Sequence, residues 1–330
     1  MSRQNTFSKS DAMRSGAPKV SVVVPSFNHA PFVQTTLRSI FNQTQAPAQL
    51  LVIDDGSSDG SPDIVERTLQ DCPFPSEMIA RGNRGLCATL NEALSQTNGD
   101  YFAYLSSDDV WLPDFLEARV SLLEDTPRAV LGYGHCFLID AANRIIDCTL
   151  EWAPYANGNA RDMLLEQTFA PMSPTVLYRR TSLESEGWHE QAKLEDYDLY
   201  LRLSTKGDFA FDPRVLSAWR QHGYNTSQDF SWMIEARMAA QRRVANRLGL
   251  SAAELEHFQR VLQFAGAEDL LRLGEKSKAF KLLRQSLRGA PSTASLLKPL
   301  ARLCLPYSLI KWHRKRSQGR AVQRYGPLII

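Results

Sequence analysis

A repeated alternation between residues 19 and 105 constrains this chain more than any other feature of it. "KVSVVVPSF" is a short β-branched run ended by Pro25 and reads as a buried strand. In "PFVQTTLRSIFNQT", Val33, Leu37, Ile40 and Phe41 fall on one helical face. "QLLVIDDGSSDGS" is a second strand running into a Gly/Ser/Asp turn, and "SPDIVERTLQ" a helix with Pro62 in its first turn. "SEMIARG" is a weaker strand, and "RGLCATLNEALSQ" a helix with Leu86, Leu90, Ala93 and Leu94 on one side. "YFAYLSSDDVWLP" opens as a fourth strand. Strands and helices in strict alternation predict an α/β fold, a doubly wound and mostly parallel sheet flanked by helices.

After Asp114 the pattern mixes. "FLEARVSLLED" is helical, "AVLGYGHCFLID" and "RIIDCTL" pair around the turn-forming "AAN", and "SPTVLYRR" is a strand. "LEDYDLYLRLSTKG" reads as an amphipathic helix closed by Gly207. From Asp229 on, everything reads as helix. The expected organisation is a polar, disordered tail over 1–17, an α/β domain over 18–228 and a helical, basic extension over 229–330.

Charge is distributed unevenly along the chain. From Lys276 to the end there are 13 Lys/Arg and no Asp or Glu, which leaves 25 bases against 36 acids upstream, a net −11. A basic tail on an acidic body is suited to an anionic partner. Five scattered cysteines without a CxxC are expected to be free thiols in a reducing compartment. The N-terminus has no apolar core of the signal-peptide kind, and no run reaches the roughly 18–20 apolar residues of a membrane span.

In open parallel sheets ligands bind beyond the carboxyl ends of the strands. Those ends carry Pro25-Ser26-Phe27-Asn28, Asp54-Asp55-Gly56-Ser57, Arg81-Gly82-Asn83-Arg84-Gly85 and Ser106-Ser107-Asp108-Asp109. No GxGxxG follows the first strand and no GxxxxGK[ST] occurs, which disfavours a dinucleotide dehydrogenase and a P-loop NTPase. Acids beside a polyphosphate make physical sense with a bridging divalent cation, Mg2+ or Mn2+. Blander readings compete: Asp54 and Asp55 as turn formers, Asp108 and Asp109 as helix caps, Glu195, Asp196 and Asp198 as a solvated face. Trp111, Trp188 and Trp219 read first as packing residues.

"VSVVVPSFN", "VIDDGSSDGS", "NRG", "SSDDVW", "GWHE", "LEDYDLYLRL" and "WRQHGYNTS" together resemble glycosyltransferase family two, in order and spacing, over Val20 to Ser227. The resemblance implies a Rossmann-like GT-A fold and inverting transfer of a sugar from a nucleotide-diphosphate sugar, UDP-linked as the first expectation, to a hydroxyl. By position it implies that Pro25, Ser26, Asn28, Asp55, Asn83, Arg84, Gly85 and Ser107 contact the nucleotide. Asp108 takes the place of the last carboxylate of a DxD motif and ligates the metal, with His222 completing the shell. Asp196 takes the place of the catalytic base. Ser106 stands where the motif often has its first acid, so the expected metal affinity is weak until donor binds.

The expected setting is surface-polysaccharide or glycolipid assembly on a glycan or lipid-linked acceptor, cytoplasmic or peripheral on the inner face of a membrane. "SLLKPLARLCLPYSLIKWHRKR" mixes Leu, Tyr and Trp with bases, as a segment lying in a membrane interface would; a packed helical bundle with a solvated basic face is the other reading. Nucleic acid is not an expected partner. A sugar nucleotidyltransferase and a non-catalytic binding protein are the competing functions.

Overall fold

The computed structural model describes residues 18–223 and 229–329. The expected tail over 1–17, residues 224–227 of the last motif and the boundary at 228 lie outside the described residues.

The alternation folds as β1 (Val20–Ser26), α1 (Val33–Phe41), β2 (Gln49–Asp54), α2 (Ser61–Leu69), β3 (Ser76–Ala80), α3 (Leu86–Gln96) and β4 (Tyr101–Tyr104). These strands lie in the order β3-β2-β1-β4, all parallel, with Val22 opposite Leu50 on one side and Ala103 on the other. Strands covered on both faces read as unbroken apolar runs. In β1, Val22 and Val24 accordingly enter one core with Leu37 and Ile40, while Val23 enters the other with Leu90 and Phe102. On α3 the buried side carries Cys87, Leu90, Ala93 and Leu94, and Leu86 is exposed rather than part of it.

Beyond β4 come β5 (Val110–Trp111), α4 (Phe115–Asp125), β6 (Ala129–Asp140), β7 (Ile145–Cys148), α5 (Arg161–Leu165), β8 (Leu177–Arg179), α6 (Arg180–Glu184), α7 (Glu195–Leu203) and β9 (Asp208–Gln221). The sheet continues from β4 through β8, β6, β9 and β5, with β7 paired to β6. Here antiparallel pairs enter, and only β6 and β9 run parallel. Helix α7 ends at Leu203, capped by Ser204 and not by Gly207.

The long strand β9 is not marked by alternation in the sequence, because Pro213 interrupts it. Its register with β6 shifts between the Gly134–Asp212 and His135–Val215 pairs, so Pro213 and Arg214 bulge out where no ladder hydrogen bond is needed. At the bulge Asp212 meets Arg119 of α4 at 2.8 Å, both buried. Burial pushes the Arg119 guanidinium down to about 10, and Asp212 partly restores it. Removing one member of a buried pair strands the other charge, at about 3–5 kcal/mol. Asp212→Ala is therefore expected to lose about 3 kcal/mol of stability in a denaturant titration; a loss within experimental error would show the pair to be dispensable.

The C-terminal region is helical: α8 (Phe230–Val244), α9 (Ala252–Leu273), α10 (Lys276–Ser286), α11 (Leu297–Cys304) and α12 (Tyr307–Tyr325). Ala240, Val244, Leu248 and Phe258 share a core with the sheet, whereas Ile234, Phe264, Leu271 and Leu283 form a smaller one among the helices. The apolar-basic segment of the tail breaks at Leu305–Pro306 into two helices. Among the described residues no helix is long and apolar enough to cross a membrane, and all five cysteines are free.

Candidate active site

The loops after β1, β2, β3 and β4 meet at the carboxyl edge of the parallel strands and are tied together by side-chain hydrogen bonds. Asp54, at the end of β2, accepts from the Ser26 hydroxyl at 3.0 Å and from the Ser57 amide at 2.8 Å. It is the turn former of the pair. Asp55 does different work: its carboxylate accepts from the backbone amides of Arg84 (2.9 Å) and Gly85 (2.8 Å) and pairs with the Arg81 guanidinium. It thereby pins the 81–85 loop across the end of β2. Gly56, at φ 84°, permits this close approach, because a Cβ there would stand 2.8 Å from the Asn83 amide nitrogen.

Asn28, at φ 53°, donates its amide to Ser57 Oγ and accepts from the Ser58 amide, joining the first loop to the second. Pro25 and Ser26 are buried, the latter opposite Asp54. Asn83 and Arg84 are exposed on the rim, and Arg84 also reaches Glu92 at 3.0 Å. The groups expected to contact a nucleotide thus line one edge.

At the centre of this edge stands Asp108. Its Oδ2 lies 2.9 Å from His222 Nε2 and its Oδ1 lies 3.6 Å from His29 Nδ1. One ligand atom from each of His29, Asp108 and His222 falls within 4.8 Å of the others. Ser107, fully buried, approaches His29 Nδ1 at 2.8 Å. Burial holds the His29 imidazole below its ordinary value, with Asp108 acting in the opposite sense. Neutral imidazole is the form that binds metal. One carboxylate and two imidazoles suit a divalent cation, and two nitrogens favour Mn2+ over Mg2+.

Asp109 does not cap the following helix. Its Oδ1 accepts the Arg220 amide at 2.8 Å, and its carboxyl is fully buried. Burial first, and then the neighbouring Asp108, push Asp109 well above the usual carboxylate range. Arg220 completes the support. Its Nε donates to the Asp108 carbonyl at 2.7 Å, and its Nη1 donates to the Asp140 carbonyl and to Asn143 Oδ1 in the β6–β7 turn. Phe32 stacks on His222 at 5.0 Å, with the Arg220 guanidinium 4.8 Å over the same ring.

A second acidic pair opens α7. Glu195 and Asp196 are half-buried, and Glu195 Oε1 lies 3.5 Å from the hydroxyl of Tyr104 at the end of β4. Burial and the adjacent Asp196 push Glu195 up to about 8. Burial also raises Asp196, whose Oδ1 accepts its neighbour's amide at 2.6 Å. Burial thus favours the protonated form of both carboxyls, and Asp196 adds to that effect on Glu195. Asp198, by contrast, is consumed structurally: it binds Arg202 at 3.0 Å and Arg243 at 2.9 Å. Helix α8 steadies this turn, with Arg237 lying 4.4 Å over the Tyr197 ring and Gln241 donating to its hydroxyl. Trp188 is buried against Phe102, Tyr104 and Tyr178, a packing role.

Sequence reading did not single out His29, Glu195 as a proton carrier, Arg81 or Arg220. His29 had a signal, since it sits in "PSFNHAPF", directly after a strand end. Arg220 had none, because its partners are more than 70 residues away in the chain.

Residues 21–187 match Glycosyl transferase family 2. The chain belongs to that family. Among curated members, chondroitin synthase of Escherichia coli is 26% identical over 211 residues, 64% of this chain and 30% of that one. The chain spans about half the length of three other curated glycosyltransferases it matches. Two solved structures share the fold. A mannosyltransferase of Pyrobaculum calidifontis, in complex with GDP-Man and Mn2+, aligns with TM-score 0.58 at 19% identity, over 94% of this chain and 87% of that one. TarS of S. aureus with UDP-GlcNAc aligns with TM-score 0.60 at 16% identity, over 94% and 93%. The architecture of this family 2 member is therefore the GT-A fold.

Proposed function

We propose that this family 2 chain transfers a sugar from a nucleotide-diphosphate sugar to an acceptor hydroxyl, inverting the anomeric configuration. The observation that carries the reading is the placement of the His29/Asp108/His222 group around the loop that follows β4, with Glu195 against Tyr104 at the end of that same strand. Ser26, Asn28, Asp55, Asn83, Arg84, Gly85 and Ser107, with Pro25 shaping the loop, would contact the nucleotide. Asp108, His222 and His29 would hold a divalent cation, which when bound neutralises charge on the leaving diphosphate. Asp196 would accept the acceptor's proton as its oxygen bonds the anomeric carbon and the bond to the diphosphate breaks. The nucleoside diphosphate leaves with that electron pair, and no covalent intermediate is needed.

Two structural neighbours hold GDP-Man and UDP-GlcNAc, and a curated relative is a chondroitin synthase. These support a nucleotide-sugar donor, with UDP-sugars the first to try, and a role in polysaccharide assembly. Incubating the protein with a panel of sugar nucleotides and Mn2+ is expected to release nucleoside diphosphate with one of them, and faster when an acceptor glycan is added. Pyrophosphate formed from nucleoside triphosphate and a sugar phosphate would instead identify a nucleotidyltransferase. Donor binding without turnover across the panel and a range of acceptors would leave a binding protein.

A further inference from the structure

The catalytic edge leaves the C-terminal helices unexplained. Helix α12 is 19 residues long and buries none of them. A helix with no fully buried residue draws little stability from packing along its length, which is where most helical stability arises. It is fixed near its two ends. The Tyr307 ring lies against Gly274, and at the other end Tyr325 packs on Phe137 while its hydroxyl donates to Glu151 at 2.7 Å. Between these anchors its first two turns present Leu309, 52% exposed, and Trp312, 56% exposed.

Helix α11, joined to α12 through Leu305–Pro306, exposes apolar groups as well. Pro299 is buried and Leu303 packs on the helical core, while Leu297 (69% exposed) and Leu300 (50%) face away from it. Leu305, in the link, is also exposed. Bases are interspersed with these apolar groups. Lys311, Arg314, Lys315 and Arg320 have no carboxylate partner among the described residues, and Arg316 lies 5.3 Å over the Trp312 ring. From Lys276 onward the chain has 13 bases and no acid of its own, and only Lys278, Lys298, Arg302 and Arg324 pair with acids upstream among the described residues.

We propose that α11 and the first half of α12 form a docking surface for an anionic lipid bilayer. The occupant must take up leucine and tryptophan side chains and supply negative charge beside them. An interface of acidic headgroups over acyl chains does both. A second copy of this chain is a poor fit, because an isologous contact would set like charges against each other. Nucleic acid would meet the bases and leave the leucines in water. Docking is peripheral, with the side chains inserted and the helices lying in the interface.

The surface is also tied to the catalytic edge. Just past α12, the Leu328 amide donates to the Asn143 carbonyl at 2.8 Å, in the turn that receives the Arg220 guanidinium. A docked α12 would thus sit at a fixed place relative to Asp108, suited to an acceptor carried in the same bilayer. Only this last consequence rests on the transferase reading; lipid docking and sugar transfer are separate properties and can fail separately.

The test is flotation of the full chain with vesicles of phosphatidylcholine alone or mixed with phosphatidylglycerol. The protein is expected to float with the anionic vesicles, at least tenfold above neutral ones, and less as salt is raised. Leu309→Glu/Trp312→Glu and Lys311→Gln/Arg314→Gln/Lys315→Gln should each reduce the bound fraction at least tenfold. Both sets are exposed, so circular dichroism and thermal midpoint should match wild type. Absence of flotation, equal recovery with neutral vesicles, or full binding by both folded variants would overturn the proposal. So would a concentration-dependent dimer or retention by RNA in place of lipid.

Discussion

Asp196→Asn is expected to reduce transfer by at least about 100-fold, the usual contribution of a positioned general base, while donor affinity stays within about twofold. The carboxylate is set at the first turn of α7, where the helix dipole favours negative charge. Its neighbour Glu195 is pushed up to about 8 by burial and by Asp196, which favours the proton on Glu195. The sharper comparison is therefore with Glu195→Gln, which copies the protonated side chain and should retain turnover within about threefold. Single-turnover rates and calorimetry with the donor would read the two effects separately. If Glu195→Gln fails and Asp196→Asn succeeds, the roles are reversed.

The same proton makes a stability prediction. Glu195's folded value is raised, so its contribution to stability is undiminished below its unfolded value of about 4.5 and falls as pH rises towards 8. Glu195→Gln should then have a higher thermal midpoint than wild type above about pH 8, and an equal one near pH 4. Equal midpoints at both would mean that Glu195 ionises normally.

The parallel half of the fold was legible because β1, β2 and β4 are buried on both faces and their sequences are continuous apolar runs. The antiparallel half was legible only in part: β6 and β7 were read as a pair and β8 as a strand, but β9 is broken by Pro213 and β5 is only Val110 and Trp111, and these two gain their identity from neighbours distant in the chain. The candidate site divides in the same way. Strand-end carboxylates such as Asp55 and Asp108 are visible because charge at the end of an apolar run is costly without a purpose. The division of labour within each acidic pair was not visible. That Asp54 makes the turn while Asp55 pins a loop, or that Asp109 is buried beneath Arg220 while Asp108 faces two histidines, depends on partners up to 114 residues away. Helix α8 reads as part of an appendage, yet Arg237, Gln241 and Arg243 hold the turn that carries Asp196.

Asp108→Ala is expected to abolish the Mn2+-dependent part of donor binding. Asp108 is the one carboxylate of the three-residue group, and its two oxygens face a different imidazole each. Without it, two histidines would have to hold the cation unaided, with no anionic ligand. His29→Ala should be milder, weakening Mn2+ by roughly 10–100-fold, the range seen when a supporting group in a metal site is removed. Ser106 adds a further expectation: with a serine in place of the motif's first acid and Asp109 turned to the Arg220 amide, wild type should bind Mn2+ weakly alone and tightly once a nucleoside diphosphate supplies phosphate oxygens. The spin-resonance signal of free Mn2+ measures this directly, by how much it falls on adding protein, nucleotide or both. Nucleotide alone lowers the signal by chelation; wild type should lower it further, His29→Ala should need more protein to do so, and Asp108→Ala should leave it at the nucleotide-only level. Equal depletion by wild type and Asp108→Ala would remove that carboxylate from the metal site, and equal titrations for wild type and His29→Ala would reduce the group to Asp108 and His222.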